Sequence, residues 1–425
     1  MAALLDELRL PSKPCFLACI SNGPTLNPTG PFRPRRFAFI SSNPGWGGSE
    51  ELWSAAAAEL AEAGHPVAIV KGALGERNPR LDRLRRLGCL MLDFKHLPFT
   101  PKRTYEVVAR FTWPAAYLLQ ALGLRRAFRK AKPNFVVVSQ GGNIDGLFHL
   151  KRVRKRRIPY GIICQKAAEM HWPNDINRRD LQDVFRDARF VWFVSEHNRR
   201  LTEEQLAMDL PQAAVVRNPF LVPWEERQDW PSGDGLRLAC IGRMFPQEKG
   251  QDIVLRVLAR AKWRARPLSV TFYGAGNMAR GLEETARYLA LESVRFAGFC
   301  DDVASIWDEH HGLILASHCE GLPLVVVETM LSGRVPVVTR VAGNPEVVED
   351  GVTGFLAAAP TDDSVDEALE RAWAERKRWR EIGRAASASI RRQVPQNPAA
   401  AVAAMIEAEA EGRKLAPETF LERLS

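Results

Sequence analysis

The sequence predicts an α/β protein made of two Rossmann-like domains facing a cleft, and three observations carry that expectation. Short apolar runs of strand length alternate with longer helical stretches. The alternation runs from residue 36 to residue 219, stops over a stretch bearing Pro223, Pro231 and Gly233, and restarts at Leu236. Several of the apolar runs end in glycine-bearing turns, and open α/β sheets bind their ligands outside such strand ends. At 425 residues the chain is long enough for two full cores.

Residues 1–34 are rich in Pro, Asn and Gly and show no periodicity, so they read as an irregular extension without assigned function. The first domain is expected over 35–219. It opens with a buried strand at 36–42 (RFAFISS), the turn NPGWGGSE at 43–50, and a helix from about 50 to 63 with Ser49 as N-cap. Gly47 and Gly48 allow close backbone approach, and a glycine-rich turn between a first strand and its helix is a typical anion cradle. Many βα turns carry glycine, however, and no G-x-G-x-x-G is present, which disfavours a dinucleotide-dependent dehydrogenase. Strands follow at 66–71, 89–92, 134–139, 159–164 and 190–195, with helices at 81–87, 104–131 and 196–208. Phe111, Trp113 and Tyr117 suit either an acceptor surface or, more simply, a core.

After a linker at 220–235, the second domain is expected over 236–390. Its strands lie at 236–241, 268–273, 294–296, 313–316 and 335–339, and its helices start at 251, span 324–331, and run as one element over 363–388. An Ala/Glu-rich helix at 399–414, within the final segment 391–425, is placed to cross back onto the first domain.

Chemistry concentrates at 316–355, ASHCEGLPLVVVETMLSGRVPVVTRVAGNPEVVEDGVTGF. Pro323 suits the first turn of a helix and Gly333 its end, which places Glu320 just ahead of a helix start and Glu328 inside the helix. Free N–H groups at a helix start favour phosphate, whereas carboxylates favour hydroxyls. Together they suit a nucleotide-sugar. Taken alone, the two glutamates read more simply as a loop charge and a helix-surface charge. In the turn after strand 236–241, Arg243 and Lys249 can clamp a diphosphate.

The strings E-G-L-P-L-V-V-V-E, S-G-R-V-P-V-V, A-G-N-P-E-V-V and G-V-T-G-F, with G-R…K-G at 242–250, resemble the retaining glycosyltransferases of family four, which have the GT-B fold. The resemblance is densest over 236–355, thinner over 36–219, and absent from the extension. It implies a glycosyltransferase that moves a sugar from a nucleotide diphosphate-sugar to an acceptor hydroxyl, in polysaccharide or glycolipid synthesis. It assigns the catalytic roles to Glu320, Arg243 and Lys249. Donor contacts are implied for Gly47, Gly48, Phe299, Cys300, Gly321, Leu322, Pro323, Leu324 and Glu328, with Glu328 on the ribose. Many family members carry a histidine where this chain has Gln165, and Gln cannot act as a base; His171, six residues on, is the candidate substitute. A nucleotide-sugar epimerase or hydrolase and a non-catalytic nucleotide-binding scaffold share the expected architecture and remain alternatives.

No D-x-D metal motif is present, and neither a metal nor a cofactor is expected. Seven scattered cysteines without a C-x-x-C pair suit a reducing cytoplasm, and the first residues lack a secretory pattern. The net charge of +9 is dispersed, which argues against nucleic acid as a partner. Its one dense run, KRVRKRR at 151–157, reads as a solvated helix end or, alternatively, as a peripheral contact with the inner face of a membrane or an acidic acceptor.

Overall fold

The computed structural model describes residues 33–413, with 44, 73, 76–77, 94–112, 226–228 and 234 excepted. Almost all of the expected extension, Phe111, and the side chains of Trp113 and Tyr117 lie outside the described residues.

Two parallel sheets are built within the unit Arg35–Ser425. The first has strands β1 (Phe37–Ser41), β2 (Val67–Lys71), β3 (Leu90–Asp93), β4 (Phe135–Gln140), β5 (Tyr160–Cys164), β6 (Val191–Phe193) and β7 (Ala213–Val215). Their spatial order is β3-β2-β1-β4-β5-β6-β7. Helices α1 (Gly48–Glu62), α2 (Pro79–Arg86), α3 (Trp113–Ala131), α4 (Leu147–Lys155), α5 (Asp175–Arg186) and α6 (Glu196–Leu206) connect them. The second sheet orders β8 (Leu236–Ile241), β9 (Leu268–Tyr273), β10 (Val294–Gly298), β11 (Gly312–Leu315), β12 (Val335–Thr339) and β13 (Phe355–Ala357) as β10-β9-β8-β11-β12-β13. Around it lie α7 (Pro246–Lys249), α8 (Gln251–Leu258), α9 (Ala261–Arg264), α10 (Ala279–Tyr288), α11 (Val303–Glu309), α12 (Leu324–Leu331), α13 (Asn344–Val347), α14 (Asp362–Ala374) and α15 (Trp379–Arg391), followed by α16 (Pro398–Ala410).

The inner strands β1, β4, β5, β11 and β12 are buried along their whole length because both faces of each sheet are covered there, whereas the edge strands β3 and β10 are partly exposed. Side chains alternate across a strand, so Phe37 and Phe39 of β1 pack with Leu52 and Trp53 of α1. Ala38 and Ile40 instead join Leu124 of α3, Leu150 of α4 and Phe185 of α5 on the opposite face. In the second sheet Leu238 and Cys240 face α8 and α14, while Ala239 faces α11 and α12 with Leu313 and Leu315.

Several elements differ from the sequence reading. Helix α1 starts at Gly48 with Gly47 as an extended cap that makes no side-chain bond, and Ser49 Oγ accepts from Asn43 Nδ2 at 3.1 Å instead. The single helix expected over 363–388 is two, separated by a 3-10 turn at Arg376–Arg378. The break lets Trp379 fold back into the core, where its indole donates to the Ala372 carbonyl at 2.7 Å and closes α14. Strands β7 and β13, three residues each, are too short to leave a periodic signal.

Two interactions hold parts of the fold that bear on the site. Val402, Met405 and Ile406 of α16 join the core beneath α1, and Glu407 pairs with His65 at 3.0 Å. The turn before α1 rests on a buried ion pair, Lys71 Nζ to Glu50 Oε2 at 2.9 Å. Lys71 also donates to the carbonyls of Asn43 and Gly45, while Glu50 accepts from Ser41 Oγ and Trp53 Nε1. One ammonium thereby fixes the glycine-rich turn from below. Removing one partner of such a pair strands the other in a dry site. Lys71→Met is therefore expected to cost about 3–5 kcal/mol in urea unfolding, and a loss below about 1 kcal/mol, the range of an exposed pair, would show that the pair does not hold the turn.

Candidate functional site

The carboxyl ends of both sheets face each other, and the chemistry-bearing turns lie between them. After β8 the chain turns at Gly242 and Arg243, forms the short α7, and reverses at Gly250, whose φ is +62°. A Cβ at Gly250 would sit 2.0 Å from the Ala316 carbonyl, so only glycine lets this turn lie on the loop that carries Glu320. Lys249 Nζ meets Glu320 Oε1 at 2.5 Å, and Ser317 Oγ donates to the same oxygen at 2.7 Å. Ser317 is itself held by Thr339, whose hydroxyl donates to the Ser317 carbonyl at 2.7 Å. Arg243 Nη2 meets Glu248 Oε2 at 2.8 Å, with the guanidinium 61% exposed and lying over the Phe245 ring. Glu248 Oε1 accepts from Lys166 of the first domain at 2.7 Å.

The structure thus brings Arg243, Lys249 and Glu320 together. Pro323 takes the N-cap position of α12, and α12 ends at Gly333 with φ +66°. Gly321 packs on the first domain so closely that a Cβ would fall 2.0 Å from the Gln165 carbonyl. The start of α1 meets the start of α12, since a Cβ on Gly48 would lie 3.0 Å from Leu324 Cδ1; one on Gly47 would meet no protein atom within 4 Å. Leu322 is buried among the residues of α12 and Val194. Gln165 is buried, its Oε1 accepting from Asn218 Nδ2 at 2.9 Å and its Nε2 having no hydrogen-bond partner. His171 lies in the loop after β5 with an exposed side chain, and its carbonyl accepts from Gln205. Phe299 is 72% exposed in the turn after β10, and Cys300 beside it donates to the Asp302 carbonyl.

Glu328 sits differently from a helix-surface charge. It is 3% exposed, and its Oε1 accepts from the Leu221 N–H at 2.9 Å. Burial pushes its carboxyl up to about 7; the Leu221 N–H opposes the rise, and Glu51 of α1 adds to it. Three groups in the site are absent from the sequence reading: Glu248, Lys166, and Glu346, which accepts from the His197 N–H at 2.9 Å across to α6. The G-R…E-K-G string contains Glu248, but its partner Lys166 is 82 residues away and carries no spacing signal. Among the described residues, no group of three or more His, Cys, Asp or Glu side chains could hold a metal ion. A separate cavity of about 500 Å³, lined by Arg237, Thr271, Arg295 and Glu309, lies at the opposite, amino-terminal end of the second sheet.

The Glu328 carboxyl has a consequence for stability. Its folded pKa of about 7 exceeds the ordinary unfolded value, so the folded state holds the extra proton between the two. Stability from this group falls as pH rises from about 4.3 to about 7 and is flat above, a change of roughly 3–4 kcal/mol. Glu328→Gln should remove that slope, so urea midpoints of variant and wild type diverge in favour of the variant between pH 5 and pH 8. An equal difference at both pH values would mean that Glu328 does not titrate in this window.

Residues 235–375 match the family described as glycosyl transferases group 1. A GDP-mannose-dependent alpha-(1-6)-phosphatidylinositol monomannoside mannosyltransferase of Mycolicibacterium smegmatis is 28% identical over 257 residues, 55% of this chain and 65% of that one. A glycogen synthase of Mycobacterium tuberculosis is 26% identical over 40% of this chain and 44% of its own length. The chain thus spans less than two thirds of these curated relatives. Among solved structures, Anabaena HepE in complex with UDP superposes with a TM-score of 0.69 at 16% identity, over 87% of this chain and 98% of that one. Sucrose-phosphate synthase of Thermosynechococcus elongatus gives 0.69 at 14% identity, over 89% and 100%. The chain has the GT-B fold.

Proposed function

We propose that this protein moves a sugar from a nucleotide diphosphate-sugar to an acceptor hydroxyl with retention of configuration, in polysaccharide or glycolipid synthesis. The observation that carries the reading is the meeting of Arg243, Lys249 and Glu320 at the carboxyl edge of the second sheet, directly opposite the first. The relatives support it, being a mannosyltransferase and a glycogen synthase by name, and one structural neighbour holds UDP.

In this reading the diphosphate displaces Glu320 from Lys249 and Glu248 from Arg243. The two cations then neutralise the charge that builds on the leaving phosphate, which also makes a metal unnecessary. Freed from Lys249 and still held by Ser317, the Glu320 carboxylate is available to hydroxyls of the donor sugar. The C1–O bond to the diphosphate breaks and the acceptor oxygen bonds C1 on the same face. The acceptor proton passes to the departing phosphate, so Gln165 need not act as a base. The unpartnered Nε2 of Gln165 is a donor for an acceptor or sugar oxygen. Glu328 has one oxygen committed to Leu221, which leaves the other for the ribose.

The acceptor is taken to be a carbohydrate or glycolipid. Four of the six basic residues at 151–157 engage the fold: Lys151 pairs with Asp180, Arg154 with Asp183 and Asp187, and Arg152 and Arg156 lie over Phe148 and Phe128. Any contact with an anionic membrane therefore falls to Lys155 and Arg157 with the exposed Arg125, Arg129 and Lys130 of α3. No helix among the described residues is long and apolar enough to cross a membrane.

A thermal-shift panel of UDP, GDP, ADP, CMP and NAD tests the reading. One nucleoside diphosphate at a hundred times its dissociation constant should stabilise the protein by about 2.7 kcal/mol, with or without a chelator. Arg243→Ala should weaken that binding about 10- to 100-fold, the worth of a charge-assisted phosphate contact. Binding of NAD alone, or of no nucleotide, would overturn the proposal. Release of free diphosphate without an acceptor would favour the hydrolase reading.

A further inference from the structure

Glu248 links the clamp turn to the first domain and to the loop that carries Glu320. Its Oε1 accepts from Lys166, at the carboxyl end of β5, at 2.7 Å, and its Oε2 accepts from Arg243 at 2.8 Å. Its backbone carbonyl accepts from the His318 N–H at 2.8 Å, on the loop that carries Glu320. The next residue, Lys249, pairs with Glu320 itself. One residue therefore ties the clamp turn to the Glu320 loop through its backbone, and to the opposite domain through its side chain.

The two ion pairs of Glu248 differ in environment. Lys166 is 22% exposed at the side chain and Glu248 16%, whereas Arg243 is 61% exposed. The pair with Arg243 is consequently the weaker one and the first to yield to an incoming anion. The cations around Glu248 hold its carboxyl below the usual range against the cost of burial, so it stays charged and keeps both partners.

Building on the proposed function, we propose that Glu248 is a positioning residue: it hands Arg243 to the diphosphate while its bond to Lys166 keeps the clamp turn fixed against the first domain. The Glu248 carboxylate competes with the diphosphate for Arg243 and at the same time sets where that diphosphate lies relative to the acceptor domain. Removing the carboxylate should therefore help binding and harm turnover.

Calorimetric titration of UDP, GDP and ADP, with their monophosphates, into wild type and Glu248→Gln reads the first half. The diphosphate that binds should bind about three- to ten-fold tighter to the variant, with monophosphate affinity unchanged, because only the Arg243 contact gains. Turnover of the matching sugar nucleotide reads the second half. The kcat should fall about ten-fold or more in Glu248→Gln and in Lys166→Met without a rise in donor KM, and recover in Lys166→Arg. Equal diphosphate affinity in wild type and Glu248→Gln, or wild-type kcat in Lys166→Met, would overturn the positioning role while leaving the clamp intact. Failure of wild type to bind any nucleotide would overturn the proposed function itself.

Discussion

Two cations set side by side repel each other, and here two carboxylates hold them. Glu320 takes Lys249 and Glu248 takes Arg243, and each carboxylate is fixed from behind, by Ser317 in one case and by Lys166 in the other. Much of the surrounding backbone follows from this requirement. Gly250 must take a left-handed turn against the Ala316 carbonyl for Lys249 to reach Glu320. Preorganised charges of this kind need little rearrangement when negative charge develops between them, which is the main way a protein can assist departure of a phosphate.

Other contacts beside these join the domains. Gly321 lies on the Gln165 carbonyl, Glu346 accepts from the first turn of α6 and pairs with Arg217, and Glu328 caps the Leu221 N–H. Behind them Phe220 and Trp224 pack on the core of the second domain, and α16 returns the chain to α1. The cleft is thus built from loops at sheet ends, braced by apolar contacts farther out. A diphosphate that displaced Glu248 from Arg243 and Glu320 from Lys249 would leave this bracing untouched.

How much of this was legible in the sequence depends on the range of the interaction. Strands β8, β9 and β12 and helix α12 appear with the bounds their apolar runs predict, because period and turn residues are local properties. The break at Trp379 was not legible, since it depends on where an indole fits in a core made by distant strands. Gly250 and Gly321 each stand where a second chain segment would lie 2.0 Å from an added Cβ. Glu320, Arg243 and Lys249 were singled out by the sequence because each lies in a compact string. Lys166 was not, as a single lysine after a strand is ordinary and only the fold sets it against Glu248.

Glu328 shows how a correct position can hide an unexpected state. The sequence places it on a helix, where a charged residue ordinarily faces water, yet it is buried with the start of α1 and the linker beside it. Its neighbour across the domains is Glu51, itself held by Trp46 and Arg80, so two carboxylates share a corner with one guanidinium. That corner lies where the starts of α1 and α12 converge. The N–H groups of two helix starts offer an anion partial positive charge from both sides, while the buried carboxyl beside them is kept from full ionisation near neutral pH. A phosphate-bearing ligand with neutral hydroxyls satisfies both features at once, and neither a free phosphate nor a plain sugar does.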